Sequence, residues 1–320
     1  MQARPVSLYV LCFITLGWLT STAAAQGGPW PHRSGPENNV LAEFRIPRDG
    51  SDILLPVHIA GRTFPFALDT GCSTTAFDAS LRPLLGQTLG FADEPAHAGI
   101  CHVEYCRAPQ VSVGTLAMPP GTPVAVLDMR AYRDRSAHCR SAHRDFYGLI
   151  GLDFLRQFVL DFDFDRGRLA FLRRPPVSAG FAIPMLASAY QYAVPMKVAG
   201  INGWQPFIVD FGTRGALAVR HDLLDTLARR GFACDTGTFF SADASGWHQF
   251  RAARLARLGL GGWGIIDAPV IGSAFNCLGL ELFEDLRLTL DFPGERLFLK
   301  PRGAAGLWDS PSPRWTSAAP

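Results

Sequence analysis

The sequence predicts a mostly β protein built from two tandem, equivalent halves with few short helices, and three observations carry that prediction. Short stretches of alternating apolar residues are bounded throughout by glycine and proline, the pattern of strands joined by tight turns. Helical spacing is confined to 81–85, to 222–230 and to the turn that follows "GLD" (151–153) and "GLE" (279–281). An internal repeat runs through nearly all of 50–300.

The chain begins with Arg4 ahead of an apolar stretch at 6–19 and then Ser-Thr-Ala-Ala-Ala-Gln, which reads as a secretory signal peptide over 1–25. The stretch is shorter than the ~20 residues a membrane-spanning helix needs, and no later segment is long and apolar enough to span. The expectation is an exported protein, periplasmic or secreted, with no membrane anchor after signal cleavage. Without the leader about 295 residues remain, enough for two units at ~100–200 residues each. A formal net charge of +2 and the lack of any Lys/Arg-rich block argue against nucleic acid or an acidic membrane surface as partners.

Residues 26–44 read as an N-terminal linker, and the first half follows at 45–173. "VHIAGRTFPFALDTGCST" (57–74) corresponds to "MKVAGINGWQPFIVDFGTRG" (196–215). Each is an apolar strand ending Ala-Gly, a short polar turn, and a second strand that runs into Asp-X-Gly, so Asp69 and Asp210 hold the same place. "APQVSVGTLAMPPGTPVAVLD" (108–128) is matched by "AARLARLGLGGWGIIDAPVIG" (252–272). "LIGLDFLRQFVLDFDFDRGRLAFL" (149–172) aligns without a gap on "CLGLELFEDLRLTLDFPGERLFLK" (277–300), Gly151 on Gly279 and Asp163 on Asp291. Pro-rich "RRPPVSAG" places an interlobe linker at 174–183. The second half spans 184–302, and 303–320 is a flexible tail.

Of seven cysteines, six lie beyond the leader. An even count in an exported chain points to disulfides, with Cys101–Cys106 across a hairpin and Cys234–Cys277 the favoured pairs. A zinc site drawn from "CHVEYC" and "HCRSAH" is the less favoured alternative, since its spacing is loose. The eight histidines show no catalytic spacing. "DFG" at 210–212 lacks the glycine-rich phosphate loop and lysine strand of a kinase, and Asp-Thr-Gly at 235–237, with no apolar strand before it, reads as a turn.

An apolar strand ending Asp-Thr-Gly-small-Ser, with apolar-apolar-Gly far downstream, resembles the retropepsin-like and pepsin-like aspartic proteases. "FALDTGCS" with "LIG", and "FIVDFGT" with "CLG", supply both landmarks twice. The resemblance implies two acid-protease β-barrel lobes about a pseudo-twofold axis, as in exported bacterial proteins with both lobes in one chain. It implies Asp69 and Asp210 as the catalytic pair, supported by Thr70, Gly71, Ser73, Gly212, Thr213, Gly151 and Gly279, under hairpin covers at 96–109 and 235–250. No metal or other cofactor is implied, and the substrate is a peptide or protein. Two carboxylates held together share one proton, so one can draw a proton from water while the other protonates the scissile carbonyl.

The second motif departs from the pattern. A hydroxyl at the position after each aspartate bonds to the opposite turn in the family; Thr70 supplies one, and Phe211 does not. Phe211→Thr is therefore expected to leave activity unchanged or raise it. Ser73 has Arg214 as its counterpart, which suggests a cation paired with Asp210. Those departures frame the rival reading, a non-catalytic peptide-binding or scaffolding protein on the same fold.

Overall fold

The alternating stretches fold as strands, and the computed structural model is mostly β with few short helices. It describes residues 39–48, 52–131, 146–188, 190–213, 215, 217–301 and the backbone of Arg314–Ser317. The expected leader, Cys139, "HCRSAH", Arg214 and most of the expected tail lie outside the described residues.

One nine-stranded sheet comes entirely from the first half. Its order is Thr88–Pro95, Ile100–Arg107, Pro123–Leu127, Ala76–Asp78, Gly148–Ile150, Arg62–Leu68, Leu54–Ile59, Val111–Val113 and Leu116–Met118. A second sheet comes from the second half, in the order Leu186–Ala187, Tyr192–Val198, Trp204–Val209, Cys277–Leu278, Leu217–Arg220, Trp263–Ser273, Gly246–Leu260 and Ala233–Asp243. The centres of the two sheets match. Gly148–Ile150 runs parallel to Arg62–Leu68 and antiparallel to Ala76–Asp78, just as Cys277–Leu278 runs parallel to Trp204–Val209 and antiparallel to Leu217–Arg220.

A six-stranded sheet joins the halves, in the order Val40–Arg45, Arg168–Leu172, Val159–Asp163, Leu286–Asp291, Arg296–Pro301 and Phe181–Pro184. Its middle pair is antiparallel with Leu160 opposite Leu290. Each half's closing repeat makes one hairpin of this sheet. In both, an aspartate accepts a hydrogen bond from a turn amide three residues on, Arg166 N to Asp163 Oδ1 at 3.0 Å and Gly294 N to Asp291 Oδ1 at 2.9 Å. The outer strands come from segments expected to be linkers: 26–44 contributes Val40–Arg45, and 174–183 contributes the start of Phe181–Pro184. The expected tail contributes Arg314–Ser317, which pairs with Trp263–Ser273.

Phe66, Phe77, Phe162, Phe207 and Phe283 are fully buried, each stabilising the fold by roughly 1.5–3 kcal/mol through removal of its ring from water. The apolar core is continuous from one half to the other. The helical segments fall where the spacing puts them: Ala79–Leu84, Leu152–Leu155, His221–Arg229 and Leu280–Phe283. His221–Arg229 buries Leu223, Leu224 and Leu227 on one face.

The cysteine pairing is corrected. Cys72, Cys101, Cys106, Cys234 and Cys277 are free thiols. Cys101 and Cys106 sit on one strand, Ile100–Arg107, five positions apart. They therefore lie ~16 Å apart on opposite faces, beyond the ~7 Å limit for a disulfide and equally unable to share a zinc ion. Cys234 is exposed on the outermost strand of its sheet and Cys277 is buried four strands inward, ~19 Å away at ~4.8 Å per strand. Asp-Thr-Gly at 235–237 is corrected as well. It lies within the strand Ala233–Asp243 at a bulge, and Asp235 pairs with Arg251 at 2.7 Å.

Candidate functional site

Both candidate aspartates stand at the tip of the second strand of their repeat. Asp69 N donates to Ile150 O at 3.1 Å and Asp210 N to Leu278 O at 2.9 Å, so each aspartate is tied to the apolar-apolar-Gly strand beside it. Gly151 and Gly279 are required for that close passage. A Cβ on Gly151 would lie 2.7 Å from Thr74 C, and one on Gly279 would lie 2.7 Å from Thr213 O. Beyond each aspartate the chain turns back and donates two amides to the carboxylate. Gly71 N and Cys72 N reach Asp69 Oδ1 at 2.9 and 3.0 Å, and Gly212 N and Thr213 N reach Asp210 Oδ1 at 3.0 and 3.1 Å.

These two turns face each other. A Cβ on Gly71 would lie 2.4 Å from Asp210 Cγ, and one on Gly212 would lie 2.4 Å from Asp69 Cγ. Each carboxylate thus packs on the bare backbone of the other's turn, and only glycine leaves that space. Thr70 fixes the approach: its hydroxyl donates to Val209 O at 2.8 Å and accepts from Phe211 N at 3.1 Å. Phe211 returns no such bond. Its buried ring packs edge-on to Phe162 at 5.3 Å and beside Phe283 at 5.9 Å. A threonine there would gain a hydroxyl and lose a core ring, so the motif alone misses the cost of that change to stability.

The support assigned to Ser73 is also corrected: its hydroxyl is buried with no hydrogen-bond partner among the described residues. In the second half the supporting hydroxyl stands one place earlier in the turn, where Thr213 Oγ1 donates to Asp210 Oδ2 at 2.7 Å. Arg214 lies outside the described residues, and among those described the cation beside Asp210 is a residue the sequence did not single out. His97, at the tip of the first-half hairpin, places Nε2 3.2 Å from Asp210 Oδ2 and 3.1 Å from Thr213 Oγ1, with Nδ1 2.8 Å from Ser273 Oγ. Its position within the expected cover at 96–109 is the one sequence signal that pointed toward it.

The two hairpins meet over the aspartates. Ala98 N donates to Asp243 Oδ2 at 2.7 Å, and Ala274 N donates to His97 O at 2.9 Å. Beneath them lies a cavity of about 130 Å³, with Asp69, Ser73, Asp210 and Thr213 on its polar side and apolar walls that include Val103 and Phe250.

The environments pull the two carboxyls apart. Burial, with the charge of Asp210 added, pushes Asp69 up to about 7. Burial acts upward on Asp210 as well, but hydrogen bonds from His97 and Thr213 and the imidazolium charge outweigh it and hold Asp210 below the ordinary carboxylate value. Burial pulls His97 down, but its hydrogen bond to Asp210 and the charges of Asp210, Asp243 and Asp69 together outweigh it and leave His97 raised. Cys277, buried against the same aspartate, is pushed well above the ordinary thiol value. His97, Asp210 and Cys277 bring one nitrogen, one oxygen and one sulfur within 4.8 Å of one another, the donor set in the described residues able to hold a metal ion.

An ionised and a protonated carboxyl side by side in one cavity can abstract a proton from water and donate one to a carbonyl within a single encounter. A scan against protein-family models finds no match for this chain, and no curated protein matches it.

Proposed function

We propose that the protein is an exported aspartic endopeptidase-like hydrolase that cleaves peptide bonds with water activated between Asp69 and Asp210. One observation carries this reading: duplicated Asp-X-Gly turns face each other so closely that each carboxylate occupies the space a Cβ would take on the other's glycine. The two nine-stranded sheets are then two acid-protease-like lobes about a pseudo-twofold axis.

In this mechanism Asp210 is the base and Asp69 the acid. His97 and Thr213 keep Asp210 ionised, so it takes a proton from water as the water oxygen attacks the scissile carbonyl carbon. Asp69 gives its proton to the carbonyl oxygen, and collapse of the tetrahedral intermediate, with a proton passed to the departing amine, breaks the C–N bond. The peptide lies extended beneath the hairpins, bonded through its main chain in strand-addition fashion.

The rival, a non-catalytic peptide-binding protein, draws support from the same His97, whose ring stands against Asp210 where an attacking water would sit. Digestion of a peptide library by the full-length chain across acidic to neutral pH separates the two. The peptidase reading expects defined cuts that vanish in the Asp69→Asn/Asp210→Asn double variant. Peptide retention without cleavage at any pH would establish the rival.

A further inference from the structure

We propose that His97, Asp210 and Cys277 form a binding site for a divalent transition-metal cation of the zinc class. Three donors from three separate stretches converge here: a hairpin tip of the first half, the Asp-X-Gly turn of the second half and the strand Cys277–Leu278. Nitrogen, oxygen and sulfur form the mixed set that suits this class of ion. Ligand bonds of ~2.0–2.3 Å put tetrahedral donors ~3.3–3.8 Å apart. His97 Nε2 and Asp210 Oδ2 are already 3.2 Å apart, and all three donors lie within 4.8 Å. Closing that set takes about an ångström of movement, within reach of a hairpin tip.

The surroundings are built as the second layer of such a site requires. A metal-binding imidazole is oriented by a partner on its other nitrogen, and here Nδ1 is fixed by Ser273 Oγ at 2.8 Å. The carboxylate is steadied by Thr213 Oγ1 at 2.7 Å, and the ring stands edge-on to Phe275 at 5.9 Å. Charge also balances: one carboxylate and one thiolate neutralise a divalent ion in a buried place. Binding replaces the Cys277 S–H and the His97 Nε2–H bonds with metal–sulfur and metal–nitrogen bonds and releases both protons to solvent. Two of the three donors, His97 and Asp210, line the cavity shared with Asp69.

Comparison of the halves gives an independent argument. The first-half residue aligned with Cys277 is Leu149. It lines the same cavity and offers no donor. Cys277 thus has no counterpart at that position of the first half, and it stands on the Asp210 side, where the imidazole also stands. While a metal occupies the site Asp210 is not free to activate water, so the cation is an inhibitor of the proposed cleavage.

The site is tested without reference to cleavage. Full-length protein, stripped of metal with a chelator, is titrated with Co²⁺ and then with Zn²⁺. The expected result is one equivalent bound, with a thiolate-to-cobalt charge-transfer absorption that Zn²⁺ erases. Cys277→Ser should abolish that absorption, and Cys234→Ser and Cys139→Ser should retain it. His97→Gln, which keeps a polar side chain at the hairpin tip, should weaken Zn²⁺ at least tenfold in protein whose circular dichroism matches the parent. No cobalt–thiolate absorption, its persistence in Cys277→Ser, or unchanged Zn²⁺ affinity in His97→Gln would overturn the proposal. A protein that binds cobalt in this way but cuts no peptide once freed of metal would refute the peptidase reading and leave the metal site standing.

Discussion

The Asp69 turn and the Asp210 turn have the same backbone and different company. Both end a strand, tie to an apolar-apolar-Gly neighbour and collect two amides on one carboxylate oxygen. Around Asp69 no side chain among the described residues adds a bond to the carboxylate: the nearby hydroxyl of Ser73 is unpartnered, the Cys72 thiol donates to Thr74 O instead, and burial dominates. Around Asp210 stand an imidazole, a threonine hydroxyl and a thiol. The repeat has kept the frame that positions two carboxylates and has let their surroundings diverge. In the proposed mechanism, divergence of that kind gives the acid to one half and the base to the other on a shared backbone frame.

The largest effect expected from this asymmetry is on catalysis. Asp69→Asn and Asp210→Asn should each lower peptide cleavage by ~10²–10⁴-fold, measured as initial rates on one cut peptide with metal removed. An Asp210→Asn protein as active as the parent would make the second turn a structural relic. Rates should also fall as pH rises through about 7, because Asp69, the group raised to that value, then loses the proton it must donate.

Phe211→Thr sharpens the comparison next. Removing a buried ring from between Phe162 and Phe283 should lower stability by roughly 3 kcal/mol in denaturant titration, even though it restores the hydroxyl that the first half has. A smaller effect, of opposite sign, belongs to Asp69→Asn. In the folded state this carboxyl holds its proton to about 7, against 3.8 ordinarily, so its ionisation opposes folding increasingly from pH 4 to 7. The variant should be more stable than the parent at pH 8, on the order of 1–3 kcal/mol, with the gain absent at pH 3, where the carboxyl is neutral in both states. The smallest effect is that of Thr70→Val. It leaves Phe211 N–H buried without its acceptor and should cost about 1–2 kcal/mol.

What was legible in the sequence was local or repeated. Asp69, Asp210, Gly151 and Gly279 stand in short motifs that occur twice, so each copy vouches for the other, and the structure brings all four together. His97 was hidden because its contact with Asp210 spans 113 positions and no spacing rule reaches that far. Cys277 was misread as half of a disulfide because its count was known but not its depth in the sheet. Thr213 and Ser73 exchanged importance because the supporting hydroxyl moved by one place in the turn. The shared sheet escaped notice for a different reason: its outer strands, "VLAEFR" and "FAIP", are short, and one lies in a stretch rich in proline. What pairs them is the partner strand.

The central claim is that the two turns place Asp69 and Asp210 in one electrostatic unit. A ¹³C NMR titration of the Asp69 carboxyl in metal-free protein, with and without Asp210→Asn, tests it most directly. The account predicts a midpoint about 7 in the parent and a clear fall when the neighbouring charge is removed, with burial holding it above the ordinary value. An Asp69 that titrates near 3.8 and ignores the change at Asp210 would contradict it.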